Sequence, residues 1–268
     1  MHKHHPISVC TWSLQCDIKE LTPIIADLGL QNVHLDLCPA LEGNAEEFKT
    51  FVKAQPWGIT ATMVGFPQED YTTLDTIKVS GGIAPDDCWE KNCQRVLDAI
   101  KITAGLGVKY LTTHIGFIDH SDPAYAAKFY ERVKLLANAA EKAGIMLLLE
   151  SGQESASELK DFLEELGHPA VGVNFDPANM ILYGKGDPID AVYILAPWIK
   201  HVHIKDAIAS ETPGTWGSEV PWSTGQVDAD GFLDALDKNN YHGAVAIERE
   251  AGDQRVADIK LAIEALIS

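Results

Sequence analysis

Residues 199–206 read Ile-Lys-His-Val-His-Ile-Lys-Asp, a strict alternation with Val202 and Ile204 on one side and His201, His203 and Lys205 on the other. A period of two is the signature of a β-strand. The stretch lies between two segments with helical apolar spacing, so both faces of the strand should be covered. Two imidazoles and an ammonium pointing into a protein interior need partners, and a metal ion or a substrate supplies them. The plainer alternative is an exposed edge strand that happens to carry histidines.

Outward from this strand the same periodicity recurs along the chain. Strands are predicted at Ile7–Leu14, Asn32–Leu37, Gly58–Phe66, Tyr110–Phe117, Ile145–Ser151, Val171–Asp176, Ile199–Asp206 and Gly243–Glu250. Helical patterns fall between and after them, at Ile18–Leu28, Ala45–Ala54, Cys88–Ala104, Asp122–Ala143, Ser157–Leu166, Asp187–Leu195, Asp228–Lys238 and Ala257–Ile267. Asp122-Pro123 gives a helix cap followed by a first-turn proline, and Gly29 a helix stop. Strands alternating with helices imply a parallel sheet, and eight such units in about 250 residues imply a (β/α)₈ TIM barrel. No repeat, low-complexity tract or linker interrupts the series, so residues 1–268 are expected to form a single domain of the α/β class. The longest irregular stretches, Pro67–Pro85 and Ala207–Val227, come after strands three and seven, which puts them at the C-terminal, catalytic face of a barrel.

Composition narrows the function. A chain of 268 residues with 46% hydrophobic content can bury a large core. No run of about 18 apolar residues suggests a membrane span. The opening Met-His-Lys-His-His-Pro has no apolar core of a secretory signal, and its His2, His4 and His5 belong to a polar terminus, adventitious metal binding being the alternative. Five cysteines without a Cys-x-x-Cys pair point to a reducing cytoplasm rather than to a disulfide framework or a zinc ribbon. The formal net charge of −18 repels phosphate backbones and excludes nucleic acid as the expected partner. A small-molecule ligand is expected, with part of the negative charge gathered around a cation; a homo-oligomer is compatible with all of this.

Carboxylates and an imidazole recur at one place in successive units. Glu150, Asp176, His203 and Glu248 stand at the C-terminal ends of strands five to eight, and the alternation aims each into the barrel. Alone, Glu150 reads equally as a strand-end cap, Asp176 before Pro177 as a turn starter and Glu248 as a surface charge. Together they place three like charges close enough to repel by several kcal/mol at an effective dielectric of ~20, a conflict that a divalent ion resolves. An oxygen-rich set with one nitrogen suits Mn²⁺ best, with Mg²⁺, Co²⁺ or Zn²⁺ as alternatives.

The strand-end Glu150, the Asn-Phe-Asp-Pro of strand six, the His-Val-His-Ile-Lys-Asp of strand seven, the Ile-Glu of strand eight and the run Val220–Glu248 together resemble the xylose isomerase-like TIM barrels, the sugar phosphate isomerase/epimerase family. The resemblance runs the length of the chain; its motifs are specific as a set and weak singly. It implies that Glu150, Asp176, His203 and Glu248 are metal ligands, that the substrate is a sugar or polyol, and that Glu150 and Glu248 flank its reacting carbon as acid and base in an isomerase or epimerase. A lyase or hydratase of the inosose-dehydratase kind is the alternative on the same metal site. A phosphodiesterase for abasic DNA and a non-catalytic sugar-binding barrel are less compatible readings.

His114, Lys205, Trp12 and Asn179 are expected to contact substrate. His114 is also a candidate ligand for a second metal, or a core histidine; Lys205 is a candidate for a carboxylate or phosphate, or a partner of Asp206. His201 should lie deeper in the barrel, while His34 and Asp36 face inward from strand two. Trp216 and Trp222 are candidate aromatic walls beside Trp12, or loop packing. Arg249 should point outward to the helices, and Gly184-Lys185-Gly186 reads as a turn. Where the family's ketose 3-epimerases carry a histidine, a second glutamate and an arginine, this sequence has Asn179, Ala156 and Ala209. The metal set is retained while that substrate-positioning set is not, which leaves the substrate open.

Overall fold

Strands whose two faces are both buried need cover on both faces, and the chain meets this by closing its sheet on itself. In the computed structural model, which describes residues 5–268, eight parallel strands form a closed barrel. They are β1 (Ile7–Cys10), β2 (Asn32–Asp36), β3 (Gly58–Met63), β4 (Tyr110–Thr113), β5 (Met146–Glu150), β6 (Val171–Phe175), β7 (Ile199–Ile204) and β10 (Val245–Ile247), with β10 sealing the barrel between β7 and β1. A two-stranded antiparallel ribbon, β8 (Asp206–Ile208) with β9 (Ser218–Val220), stands outside it. His2 and His4 lie outside the described residues.

Helices wrap the barrel: α1 (Leu21–Asp27), α2 (Cys38–Glu42), α3 (Ala45–Lys53), α4 (Leu74–Ser80), α5 (Trp89–Gly105), α6 (Pro123–Lys142), α7 (Ala156–Leu166), α8 (Pro177–Leu182), α9 (Pro188–Leu195), α10 (Ala229–Lys238) and α11 (Arg255–Ile267). Their starts obey the sequence signals: Asp122 caps α6 ahead of Pro123, and Ser155 with Glu158 closes a capping box on α7. The apolar core lies between the strands and these helices, where Leu147, Leu149, Val173, Phe175, Val202 and Ile204 are buried. The intervening positions, among them Asn174, His201 and His203, are just as buried. Alternation therefore gives the strands a greasy outer face and collects the buried polar side chains on the inner one, which β5 and β10 share with the apolar Leu148 and Ala246.

Several expected boundaries move. The first strand stops at Cys10, and Thr11–Leu14 turns into a 3₁₀ helix. The strand-seven run stops at Ile204, because Asp206 starts the β8–β9 ribbon. Pro67–Pro85 contains α4 and Ala207–Val227 contains the ribbon, so neither is a bare loop. Strand four ends at Thr113, which leaves His114 just past it. Helix α8 has no counterpart among the predicted helices; six residues are too few to show a 3.6-residue period. Among the described residues no helix is long and apolar enough to cross a membrane.

Two irregularities set the aim of the inner side chains. The register between β6 and β7 shifts between Val173 and Asn174, which brings Asn174 opposite His201. A similar shift lies at Val33/His34 between β2 and β3. An extra residue in one strand re-aims the side chains beyond it, and both shifts sit directly before buried polar side chains.

Candidate metal centre and catalytic pocket

Four side chains from β5, the end of β6, β7 and the end of β10 converge at the C-terminal mouth of the barrel. Glu150, Asp176, His203 and Glu248 are all buried, and each offers one ligand atom within 4.8 Å of the others. The Nδ1 of His203 lies 3.5 Å from Glu150 Oε1, 3.6 Å from Asp176 Oδ2 and 3.1 Å from Glu248 Oε2. At an effective dielectric of ~20, two carboxylates at such separations repel by about 3–4 kcal/mol.

The hydrogen bonds around this group are complete on the outside and missing on the inside. Asn179 donates its side-chain amide to Glu150 Oε1 at 3.1 Å. Asp176 Oδ1 accepts the Asn179 backbone N–H at 3.0 Å and so caps α8. Trp12 donates its indole N–H to Glu248 Oε1 at 2.7 Å, and Lys205 donates to Glu248 Oε2 at 3.0 Å. By contrast, Glu150 Oε2, Asp176 Oδ2 and His203 Nδ1 are buried with no hydrogen-bond partner. Buried polar atoms are rarely left in this state, and three of them on residues that each offer a ligand atom within 4.8 Å of the others make the cluster a candidate cation site. Asp176 thus serves as both the turn starter and the ligand candidate, with one oxygen for each.

A relay beneath the site fixes the orientation of His203. The Thr112 hydroxyl donates to Thr62 O at 3.0 Å and lies 2.9 Å from His34 Nε2. His34 Nδ1 in turn lies 3.1 Å from His203 Nε2, which the Asn174 side-chain amide also approaches at 3.1 Å. Held along this edge, the His203 ring turns its Nδ1 toward the three carboxylates. His201 lies deeper, bonded to Asn174 at 2.8 Å and Thr60 at 3.1 Å, and packs in the core as expected.

Electrostatics follow from this packing. Burial opposes the charge on Glu248, but Lys205 and His203 outweigh it and hold the carboxyl well below its usual range. Burial likewise opposes ionisation of Glu150, which His114 and His203 reverse. Asp176 keeps a raised pKa because burial exceeds the help it receives from Lys205. Burial also works against a charged His203, yet Glu248 and Glu150 raise its pKa well above the ordinary value.

Above the four residues opens a cavity of about 670 Å³. Trp12, His114, Asn179, Lys205 and Glu248 all line it, as does Trp216. His114 Nε2 reaches Glu150 Oε1 at 3.6 Å, and its Nδ1 has no partner. Two pairs of alternatives are decided. Lys205 does not pair with Asp206: it bonds Glu248 and, at 2.8 Å, Glu250, while the Asp206 carboxylate takes the backbone N–H groups of Ala207, Gly225 and Val227. Trp222 is buried against Phe232 rather than lining the cavity. Asp36 lines the rim, whereas His34 stays in the relay below. Arg249 turns outward to Glu219 at 2.6 Å and Asp258 of α11 at 2.9 Å, as the alternation required.

Sequence reasoning missed Glu69, Tyr71, Tyr183, Glu219 and Glu250, which also line the cavity. Glu250 had a signal, since it stands two residues beyond Glu248. The others sit on loops and on a ribbon whose position no periodicity reports.

Comparison with known proteins agrees with this architecture. The family model of the xylose isomerase-like TIM barrel matches residues 23–268. The crystal structure of a xylose isomerase domain protein from Planctomyces limnophilus superposes with a TM-score of 0.90 at 30% identity, covering 99% of this chain and 97% of that one. SgbU of Escherichia coli strain K12, provisionally named an L-ribulose-5-phosphate 3-epimerase, is 27% identical over 158 residues, which are 56% of this chain and 54% of SgbU. The chain therefore spans about half the length of that curated relative. The apo crystal structure of the E. coli 3-keto-D-glucoside 4-epimerase YcjR shares the fold, with a TM-score of 0.74 at 16% identity, over 98% of this chain and 99% of that one. With the matched region reaching from α1 to the C-terminus and the closed barrel beneath it, the chain belongs to the xylose isomerase-like TIM barrel family.

Proposed function

We propose that the protein is a divalent-metal-dependent isomerase or epimerase acting on a sugar or sugar derivative. The observation that carries this reading is that Glu150, Asp176, His203 and Glu248 each offer a ligand atom within 4.8 Å of the others, while Glu150 Oε2, Asp176 Oδ2 and His203 Nδ1 are buried without a hydrogen-bond partner. Three carboxylates and one imidazole suit a hard divalent ion, Mn²⁺ above the others. When bound, such an ion supplies Lewis-acid polarisation of a carbonyl.

The chain's own residues supply the proton transfers. Glu150 and Glu248 are the two carboxylates placed to take a proton from a carbon next to a carbonyl and to return it on the opposite face. Trp12 and Lys205 hold Glu248 ionised and in place; Asn179 and His114 do the same for Glu150. Burial of all four groups keeps water from competing for the proton. The relatives that combine this barrel with epimerase names support the reaction class. Five free cysteines fit a reducing cytoplasm.

Incubation of Mn²⁺-loaded protein with a panel of keto sugars in heavy water tests the reading. Deuterium is expected at the carbon next to the carbonyl, without loss of water, and Glu150→Gln or Glu248→Gln should slow exchange by about 10²–10⁴-fold. Full activity in EDTA-stripped protein would remove the metal from the account. A product lighter by one water would replace isomerisation with the lyase reaction.

A further inference from the structure

Resting on that reading, we infer that the substrate is an uncharged, unphosphorylated sugar or polyol. Among the described residues that line the cavity, Lys205 is the one ammonium or guanidinium, and it is already held by Glu248 and Glu250. Against it stand five carboxylates in the lining: Asp36, Glu69, Glu219, Glu248 and Glu250. The two charges of a divalent ion plus Lys205 only balance Glu150, Asp176 and Glu248. Asp36, Glu69 and Glu250 remain around the mouth.

A barrel enzyme that binds a phosphate ester commonly does so with the loops after its last two barrel strands. Here those loops present Glu219 and Glu250. The groups that would hold a phosphate are taken by protein carboxylates. The Glu250 N–H goes to Glu219 Oε1 at 2.9 Å, and the N–H groups of Gly225 and Val227 go to Asp206. The guanidinium of Arg249 is clamped between Glu219 and Asp258, and that of Arg95 is turned to Gly65 O, Cys38 and Glu42.

What the walls do offer matches a neutral sugar. Carboxylates accept hydrogen bonds and donate none, so they select a ligand rich in hydroxyl donors; a phosphate adds only acceptors. Trp12, Tyr71, Tyr183 and Trp216 give aromatic faces for the apolar side of a sugar ring. The Trp216 indole N–H bonds Tyr71 O at 3.0 Å, which ties two of these walls together across the mouth.

The test uses the full-length, Mn²⁺-loaded protein and paired ligands: free ketoses, aldoses and inositols, each beside its phosphate ester. Binding is read by calorimetry and turnover by deuterium uptake. The free member of a pair is expected to bind at least about tenfold more tightly and to take up label faster, with the preference shrinking as salt is added. Glu250→Gln, which removes a charge and releases one bond of Lys205, should narrow the ratio by about threefold or more; a merely structural role would weaken both members alike. Phosphate esters that take up label as well as or better than free sugars would overturn the inference and leave the isomerase reading standing. Tighter binding of the free member with no label in any ligand would sink the isomerase reading alone. Tighter binding of the ester without label would sink both.

Discussion

Thr112 illustrates how far one hydroxyl reaches at the residue scale, because it holds His34, which in turn holds the Nε2 edge of His203. Thr112→Val keeps the shape and removes that hold. It is expected to lower Mn²⁺ affinity by about tenfold, measured by calorimetric titration, with little change in the far-ultraviolet spectrum. Glu154 is a second single-residue case. It is buried in the loop after β5, and burial, only partly offset by Lys185, pushes its pKa up to about 8. A carboxyl whose folded pKa is raised favours the folded state fully below its unfolded value, near 4.5, and loses that contribution as the pH climbs to about 8. Glu154→Gln should therefore gain little stability at pH 5 and about 1–3 kcal/mol at pH 8, read from melting curves at both pH values.

At the scale of elements, the site depends on a close approach that only glycine allows. Gly152 lies just after β5 with a φ of +127°, and a Cβ there would come within 2.2 Å of the Asn179 Cβ on α8. Gly152→Ala is expected to cost about 2–4 kcal/mol through backbone strain and overlap. It should also weaken metal binding, since the displaced α8 carries both the Asn179 amide and the N-terminus capped by Asp176. A variant with the wild-type melting temperature and metal affinity would contradict this. The β8–β9 ribbon is the other decisive element: by standing outside the barrel it brings Trp216 and Glu219 to the mouth, where a plain loop would fix neither.

Over the whole molecule, the cost of gathering four buried ionisable groups at one end of the barrel is expected to emerge as a dependence of stability on a divalent ion. EDTA-treated protein given Mn²⁺ at about 100 times its dissociation constant should gain about 2.7 kcal/mol, a rise in Tm of several degrees for a chain of this length. An unchanged Tm would mean that the four groups do not close on an ion. The formal net charge of −18 should make the stripped protein more salt-sensitive than the loaded one, because a bound cation removes part of the local repulsion.

The sequence by itself determined the barrel and the four residues at its C-terminal mouth. Strict alternation in Ile199–Ile204 and its counterparts reports which way each side chain points, and eight parallel units in series admit one closed sheet. Glu150, Asp176, His203 and Glu248 were legible because each sits at a strand end, where periodicity fixes direction and chain order fixes height. Only the tertiary structure decided the walls. Lys205 chose Glu248 and Glu250 over its neighbour Asp206, Trp222 went to the core, and Tyr71, Tyr183 and Glu219 arrived from loops and a ribbon. Local spacing carries no information about where such segments end in space, because their positions are set by contacts with residues distant in the chain, such as the bond from Trp216 to Tyr71.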